Sequence, residues 1–464
     1  MYAVFWNPRL QFSNAWNFLD GAVSLVDTGG WELAHADLYH ANDTARSAGR
    51  VVPGLPPGTA ILVAPLYLAW RAVFGSVATA EAFQAFNGFA ALILGGMASA
   101  LAAVEVGRLA GWLGAARRGQ ILAALLFAFG TQSFQLGTML SKESLTGLAV
   151  VAATRLAVVP GGAGRRAWAG AVAGGAATLT QSAALLGPLL AGVVLRREGR
   201  GRALALVAGC LPPFLALAAY NTALFGRPWS SAYFFLGGVS GLAFVSPKPA
   251  IVLDLLVGTR GGLVLYSPFL LLGLAALVGA SVRARRGEAL TAGILLAGLW
   301  LASASWQSQF VDRADFAHGL GPRHLFPVVP LLAAFGAPAL ERLGCRGRVL
   351  LGLPSVLFGY LGAQAGIIPH GEDPLPYAVK TWLSGTGMTV LFKEALPGWL
   401  GLETLHARVS RPDVSALDLL HLLPTGEGLV LAGNQVLFVL MNLLAVGGVA
   451  WLVRWLWRGR EAGS

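Results

Sequence analysis

Long apolar runs separated by short polar loops fill this sequence from residue 81 to residue 368, and one more run follows near the end. The runs cover residues 81–105, 118–137, 143–159, 166–181, 183–196, 203–221, 263–281, 288–305, 324–341, 348–368 and 429–457. A helix needs about 20 mostly apolar residues to cross the hydrocarbon core of a bilayer. The pattern therefore predicts an all-α protein, a polytopic transmembrane helical bundle of about 11 spans with outer-face loops and juxtamembrane helices.

The charged residues agree with this class and orient the bundle. Only 12% of the 464 residues are charged, whereas soluble proteins average about 25%. If the run at 81–105 crosses inward, every inner loop is rich in arginine, as cytoplasmic loops are. These loops hold Arg108, Arg117, Arg118, Arg165, Arg166, Arg196, Arg197, Arg200, Arg202, Arg283, Arg285, Arg286, Arg342, Arg346, Arg348, Arg454, Arg458 and Arg460. Membrane topology thus explains the net charge of +11, and we expect no nucleic-acid partner.

The segment before the first long run has a different character. Residues 7–55 are polar and irregular, and Pro56-Pro57-Gly58 opens an apolar helix that ends near Phe74. Its prolines and Arg71 favour a helix lying at the outer membrane surface over one that spans. We therefore expect residues 1–80 to be an outer (periplasmic) loop with a surface helix at 56–74, and one span to be missing before it.

The other boundaries follow when successive spans are taken to cross the membrane alternately inward and outward. Residues 81–368 form the predicted transmembrane core, with outer loops at 222–262 and 306–323 and a short outer turn at 138–143. Residues 369–428 form another outer loop with amphipathic segments, which typically lie in the interface plane. Residues 429–464 form the last predicted transmembrane helix and a cytoplasmic tail.

The candidates for chemistry all lie at the predicted outer face. Arg323 can hold a phosphate through two parallel hydrogen bonds, or it can simply anchor a helix at the interface. Asp37 and Asp43 are either solvated loop carboxylates or a general base and metal ligand. Glu143 either pairs with Lys142 or serves a site, because a carboxylate at the end of a span is costly unless it is paired or wet. The densest mixed-charge cluster of the chain precedes Pro330 and contains Asp312, Arg313, Asp315, His318, Arg323 and His324.

Four stretches of the outer loops stand in a characteristic order. They are Asp37, Asp43 and Gly49-Arg50 running into Pro56-Pro57-Gly58 and Pro65; Tyr220-Asn221 with Phe225-Gly226-Arg227-Pro228 and Tyr233; Gly262-Leu263 with Tyr266-Ser267-Pro268; and Gly321-Pro322-Arg323-His324 with Pro327 and Pro330. Together they resemble the GT-C superfamily of polytopic glycosyltransferases, which use polyprenyl-phosphate-linked sugars. Two positions depart from the family pattern: Asn14-Ala15 stand where acidic residues are usual, and Leu55 replaces a lysine.

The resemblance implies a multi-pass protein of the bacterial inner membrane. It would transfer a sugar from a polyprenyl-phosphate carrier to a cell-envelope glycan, lipid or protein at the periplasmic face. A divalent cation as cofactor is left open. The implied catalytic residues are Asp37 or Asp43 as base or metal ligand, with Glu143 assisting. The implied substrate and lipid-phosphate site consists of Arg50, Arg323, His324, Tyr220, Asn221 and Tyr266.

Two other functions remain as alternatives. A membrane transporter or lipid flippase would carry charges near the bilayer midplane, whereas the polar residues here collect at one face. A non-catalytic relative that binds lipid-linked sugars is favoured by the departure at Asn14-Ala15.

Overall fold

The computed structural model describes residues 13–36, 43–230, 232–235, 245–279, 286–308, 319–366, 368, 372–383 and 447–448. Asp37 lies outside the described residues, as do most of the predicted loop at 369–428 and nearly all of the last predicted span. The same holds for four members of the mixed-charge cluster, Asp312, Arg313, Asp315 and His318.

The described chain is mostly helical, which confirms the predicted all-α class. The α-helices are α1 (Ser13–Thr28), α2 (Gly58–Phe74), α3 (Ala80–Ala90), α4 (Met97–Trp112), α5 (Arg117–Phe129), α6 (Ser133–Leu136), α7 (Lys142–Val158), α8 (Ala163–Leu179), α9 (Leu186–Glu198), α10 (Arg200–Phe225), α11 (Pro249–Val257), α12 (Leu263–Tyr266), α13 (Leu270–Val278), α14 (Arg286–Gln307), α15 (Val329–Arg342), α16 (Cys345–Ala365) and α17 (Pro374–Leu383). A π-helix at Ala91–Gly96 joins α3 to α4, and a 3-10 helix at Arg323–Val328 leads into α15. A small antiparallel hairpin pairs β1 (Thr44–Ser47) with β2 (Arg50–Pro53).

Within the described residues, four helical stretches are long and apolar enough to cross a membrane. They are Ala82–Trp112, Arg200–Phe225, Gly287–Ser305 and Arg323–Arg342. Continuous helix satisfies every backbone hydrogen bond locally, which the bilayer interior requires. The protein is therefore a multi-pass membrane protein, while the number of spans stays a prediction.

Ties between helix ends establish which ends of the central helices lie together. The carboxylate of Glu341, near the end of α15, accepts a hydrogen bond at 2.8 Å from the Ala116 amide, just before α5. Near the end of α7, Arg155 binds Glu105 in the second half of α4. The late parts of α4, α7 and α15 therefore share one side with the start of α5, and this side carries the arginines. The starts of α7 and of the 3-10 helix at Arg323 lie on the opposite side, which we call the outer side because the arginine pattern predicts that it faces away from the cytoplasm.

The N-terminal region forms a compact unit, so the prediction that residues 7–55 are irregular is wrong for α1 and the hairpin. Phe18, Leu19, Ala22 and Val23 are fully buried and pack against α2 and α3. This spacing of one and four residues places them on one face of a helix. The pattern was obscured because polar residues of α1 are buried as well.

Candidate functional site

The outer ends of the central helices enclose a buried polar segment, which we define as Thr131–Thr146 and which runs from the end of α5 through α6 into the start of α7. Every residue of this segment is buried. Its buried polar members are Thr131, Gln132, Ser133, Gln135, Thr138, Ser141, Lys142, Glu143, Ser144 and Thr146. Polar side chains within a membrane bundle are costly unless they are paired or hydrated, and they commonly mark ligand pathways. The sequence-based prediction had assigned only a short turn at 138–143 to this place.

The π-helix and α4 cover one flank of the buried polar segment. Gly95, in the π-helix, packs so closely on Met139 that an added Cβ would come within 2.1 Å of the Met139 carbonyl oxygen. The Ser99 hydroxyl, in α4, donates to Ser144 Oγ at 3.1 Å. Single π-turns inside helices frequently occur at functional sites. The π-helix ends in Gly95-Gly96, and the missing side chain of Gly95 lets the buried polar segment pack against the helix backbone.

The loop before Arg323 lies on the other flank. Gly319 packs against the side-chain amide of Gln135, and Gly321, at φ 127°, lies beside Gln132. Gln135 Nε2 also donates to the carbonyl of Gly366, just after α16. The φ value of Gly321 falls where only glycine is comfortable, so this residue lets the loop fold over the two glutamines.

Glu143 and Arg323 occupy the outer ends of two neighbouring helices. Phe326 of the 3-10 helix packs on Gly147 of α7, and both helices run inward from the outer side. Glu143 precedes Gly147 by one helical turn, and Arg323 precedes Phe326 by one 3-10 turn. The packing therefore brings the Glu143 and Arg323 positions to the same end of this contact, beside the buried polar segment.

Glu143 is partnered by its own helix cap. The side chain is only 5% exposed, and its Oε2 accepts a hydrogen bond from Ser141 Oγ at 2.9 Å. Ser141 in turn accepts from the Glu143 and Ser144 amides as the N-cap of α7. Ser141 is thus one partner of Glu143, while the pairing with Lys142 considered from sequence stays a prediction. Glu143 Oε1 is shielded from solvent and has no hydrogen-bond partner in the described part of the chain. A buried carboxylate oxygen that accepts no hydrogen bond from the protein can accept a hydrogen bond from a ligand.

Tyr266 lies next to this site through the Gly319–Arg323 loop. Its ring is buried, packs edge-on against Phe358 at 5.4 Å, and belongs to the same apolar cluster as Leu320. The Tyr266 hydroxyl donates to the Thr259 carbonyl. His324 is half-buried and directly follows Arg323 in the 3-10 helix. The structure therefore brings four of the predicted residues into one region: Glu143, Tyr266, Arg323 and His324.

Tyr220 and Asn221 have structural partners near the hairpin. The Tyr220 ring packs edge-on against Trp31 at 4.9 Å, and its hydroxyl lies 3.4 Å from the carbonyl oxygens of Pro53 and Leu55. Asn221 Nδ2 donates to the Pro228 carbonyl at 3.0 Å. These contacts fix the hairpin and the Pro228 turn to the end of α10.

Asp43 and Arg50 lie at opposite ends of the hairpin. The Asp43 carbonyl accepts from Gly54 at its base, whereas Arg50 pairs with Ser47 at its tip and is exposed. Four residue steps along the strand separate the two ends, or about 13 Å. They therefore do not share one immediate site. Among the described residues, no group of three His, Cys, Asp or Glu side chains is arranged to hold a metal ion.

Sequence reasoning missed a hydrogen-bonded pair, Asp20 with His35, in the N-terminal unit. Asp20 is fully buried in α1; its Oδ2 accepts from the His35 amide at 3.1 Å and its Oδ1 lies 3.0 Å from His35 Nδ1. A signal existed in the sequence, because Asp20 is a single carboxylate inside the run Phe18-Leu19-Asp20-Gly21-Ala22-Val23. The pair ties α1 to the chain two residues before Asp37.

A second carboxylate of α1 binds two side chains of α2. Asp27 accepts from the Tyr67 hydroxyl at 2.8 Å and from Arg71 at 2.6 Å, both in α2. Burial raises the pKa of Tyr67 to about 12, and the hydrogen bond to Asp27 and its negative charge add to this effect. The neutral phenol is thus the form that the fold stabilises.

Comparisons with known proteins find likeness in structure but not in sequence. No family model matches the chain, and no curated protein matches it. ArnT from Cupriavidus metallidurans bound to undecaprenyl phosphate has a TM-score of 0.51 and 17% identity, covering 99% of this chain and 76% of that one. ArnT in the apo state gives 0.49 and 16%, over 96% and 73%. The Archaeoglobus fulgidus oligosaccharyltransferase, tethered with an acceptor peptide, gives 0.50 and 14%, over 88% and 56%. This chain therefore spans little more than half the length of the last protein.

Proposed function

From the GT-C fold, which this multi-pass membrane chain has, we propose that the protein is a glycosyltransferase acting on a polyprenyl-phosphate-linked sugar. The acceptor is a cell-envelope glycan, lipid or protein at the outer face of a bacterial inner membrane. One observation carries the proposal: the packing of Phe326 on Gly147 places the Glu143 and Arg323 positions at the same end of the α7 contact, beside the buried polar segment. The structural relative ArnT, which binds undecaprenyl phosphate, supports the same class of donor.

Arg323 is the residue proposed to hold the carrier phosphate. A guanidinium offers two parallel donors to phosphate oxygens and keeps its charge at all physiological pH values. Arg323 is half-buried, and partial burial strengthens such a contact because water competes less. Tyr266 and Leu320 support the loop that presents it.

The proposed sugar transfer needs a cation at the phosphate, a base for the acceptor's proton and hydrogen-bond acceptors for the sugar hydroxyls. An acceptor oxygen attacks the anomeric carbon, and the bond from that carbon to the phosphate oxygen breaks. Polyprenyl phosphate leaves with the bonding electrons, so a cation beside its phosphate stabilises the charge that develops. The acceptor's proton goes to a base, for which Asp37 or Asp43 is proposed. Glu143 Oε1 and Gln132 Oε1, both buried without a hydrogen-bond donor among the described residues, are proposed to accept hydrogen bonds from sugar hydroxyls.

A non-catalytic sugar-lipid binder is the second candidate, favoured by one observation. Ala15, where an acidic residue is usual in the family, is only 3% exposed and packs within α1. The methyl side chain of Ala15 can neither accept a proton nor bind a metal ion, so this position cannot do what the usual acidic residue does.

Transfer from a radiolabelled polyprenyl-phosphate sugar to envelope extracts, by purified protein in vesicles, tests the proposal. We expect transfer by the wild type and losses of about 100-fold or more in the variant of the true base, Asp37→Asn or Asp43→Asn. The matched control is Glu32→Gln, an exposed carboxylate of the same region, which retains activity. Carrier binding without transfer from a panel of donor sugars would instead establish the non-catalytic binder. Lipid movement without transfer would establish the flippase.

A further inference from the structure

Three arginines crowd together at the inner side, where α7 ends and α8 begins. Arg155 lies in the last turn of α7, and Arg165 and Arg166 lie in the first turn of α8. The charges of Arg155 and Arg166 are close enough to Arg165 to repel its own charge. Gathering like charges in a partly buried place is unfavourable unless anions compensate them.

The carboxylates nearby are already engaged. Glu105 binds Arg155 and also accepts from Arg108 at 2.9 Å. Glu198 binds Arg166, which donates through Nε at 2.8 Å, and it also accepts from Arg202 at 3.2 Å. Five guanidinium groups, Arg165 included, thus share two carboxylates, which leaves an excess of positive charge around Arg165.

Arg165 has donors that nothing nearby accepts. Its Nε and Nη2 are shielded from solvent and make no hydrogen bond within the described part of the chain. Its stem folds back over Gly161, where an added Cβ would meet Arg165 Cδ at 2.4 Å. Shielded donors on a cation are costly when left unmade. An anion beside Arg165 would accept these unmade hydrogen bonds and offset the excess positive charge.

The surroundings identify where that anion comes from. Trp168, one helical turn beyond Arg165, is 69% exposed, and Leu204 on the adjoining α10 is 66% exposed. Helices α8 and α10 pack directly together, since Gly170 meets the Leu206 carbonyl and Gly209 meets Ala167. An exposed tryptophan beside exposed aliphatic side chains marks the membrane interface of a lipid-facing surface. Arg165 therefore lies at headgroup level.

We propose that Arg165, flanked by Arg155 and Arg166, binds the phosphodiester of an anionic phospholipid of the inner leaflet. Basic pockets between transmembrane helices on the cytoplasmic side bind such headgroups. The Arg165 side chain turns from its position over Gly161 toward the lipid, the phosphodiester accepts from its Nε and Nη2, and the acyl chains lie along the Trp168 surface. This site is separate from the outer-face site and does not depend on the proposed transfer reaction.

Native mass spectrometry of the delipidated full chain tests this lipid site by titration with phosphatidylglycerol and, separately, with phosphatidylcholine. Wild type is expected to bind the anionic lipid more tightly, and Arg165→Gln to lose about fivefold or more of this affinity. Arg117→Gln, which removes an exposed arginine at the start of α5, is the matched control and is expected to bind as wild type. Equal losses in both variants, or no loss in Arg165→Gln, would overturn the proposal. So would displacement of the lipid by inorganic phosphate at millimolar concentration.

A second measurement needs no variant. Phosphatidylglycerol with a photoreactive headgroup, added to the wild type in vesicles, is expected to cross-link within residues 159–168. Adducts confined to other inner loops would overturn the site.

Discussion

Phe326 packs on Gly147 so tightly that an added Cβ on the glycine would come within 2.9 Å of the Phe326 ring. The ring also lies 6.0 Å from Phe127, so it has apolar neighbours on two sides. This contact holds the start of the 3-10 helix against the start of α7. It is the packing relationship that brings the Arg323 and Glu143 positions to one place.

Replacing Gly147 by alanine is expected to move the Arg323 and Glu143 positions relative to each other, although Gly147 itself lies outside the proposed site. The ring is stiff and fully buried, so the added methyl group pushes the helices apart, at a cost of about 1–3 kcal/mol of stability. Thermal unfolding and carrier binding, measured on the same preparation, check this. Gly175→Ala is the control, because a Cβ there meets nothing within 4 Å. Loss of carrier affinity in both variants would contradict the expected role of Gly147.

Removing the buried carboxylate of Asp20 is expected to loosen the N-terminal unit. Asp20→Ala leaves the His35 amide and ring without their acceptor, at a cost of about 1.5–3 kcal/mol. Denaturation in detergent measures this loss. Arg71→Ala is the comparison, because it removes only the well exposed ion pair with Asp27 and keeps the hydrogen bond from Tyr67 to Asp27, and exposed ion pairs contribute about 0–1 kcal/mol. Equal losses of stability in the two variants would contradict a larger contribution from the buried Asp20–His35 pair.

Tyr67 makes stability depend on alkaline pH. Its pKa is about 12 in the fold and about 10 in an unfolded chain. A raised pKa means that the folded protein holds the proton more tightly. The contribution is fully present below pH about 10 and is lost as pH rises through about 12. Tyr67→Phe should remove the contribution of Tyr67 to this dependence, and Asp27→Asn should reduce that contribution without abolishing it, since burial is the larger cause. Phenolate absorbance during an alkaline titration reports the ionisation directly. An unchanged titration curve in Tyr67→Phe would contradict the assignment.

The helical class could be predicted from the sequence because it depends on local pattern. A run of apolar residues requires a helix wherever it meets lipid, whatever its neighbours are. The helix predicted at 56–74 is present as Gly58–Phe74 for the same reason. The surface position of this helix stays a prediction.

The parts that were missed depend on contacts between distant residues. Helix α1 was not predicted because Asp20 and Asn17 sit on its buried side, and Asp20 is satisfied by His35, fifteen residues later. The buried polar segment looked like a surface turn because Gly95, Thr180 and Gly366, which cover it, come from three other parts of the chain. The π-helix at Ala91–Gly96 left no sign in the apolar run that contains it.

The central claim is that Arg323 holds the phosphate of the lipid carrier. The most direct measurement compares binding of undecaprenyl phosphate with binding of undecaprenol, which lacks the phosphate, to purified wild type, Arg323→Gln and Arg46→Gln. Arg46 is an exposed arginine of β1 and serves as the matched control. The account predicts that Arg323→Gln loses about tenfold or more of the preference for the phosphorylated lipid, because a charge-assisted contact contributes about 1.5–3 kcal/mol. Arg46→Gln is expected to bind as wild type. An Arg323→Gln protein that is folded and keeps the full preference would contradict the account.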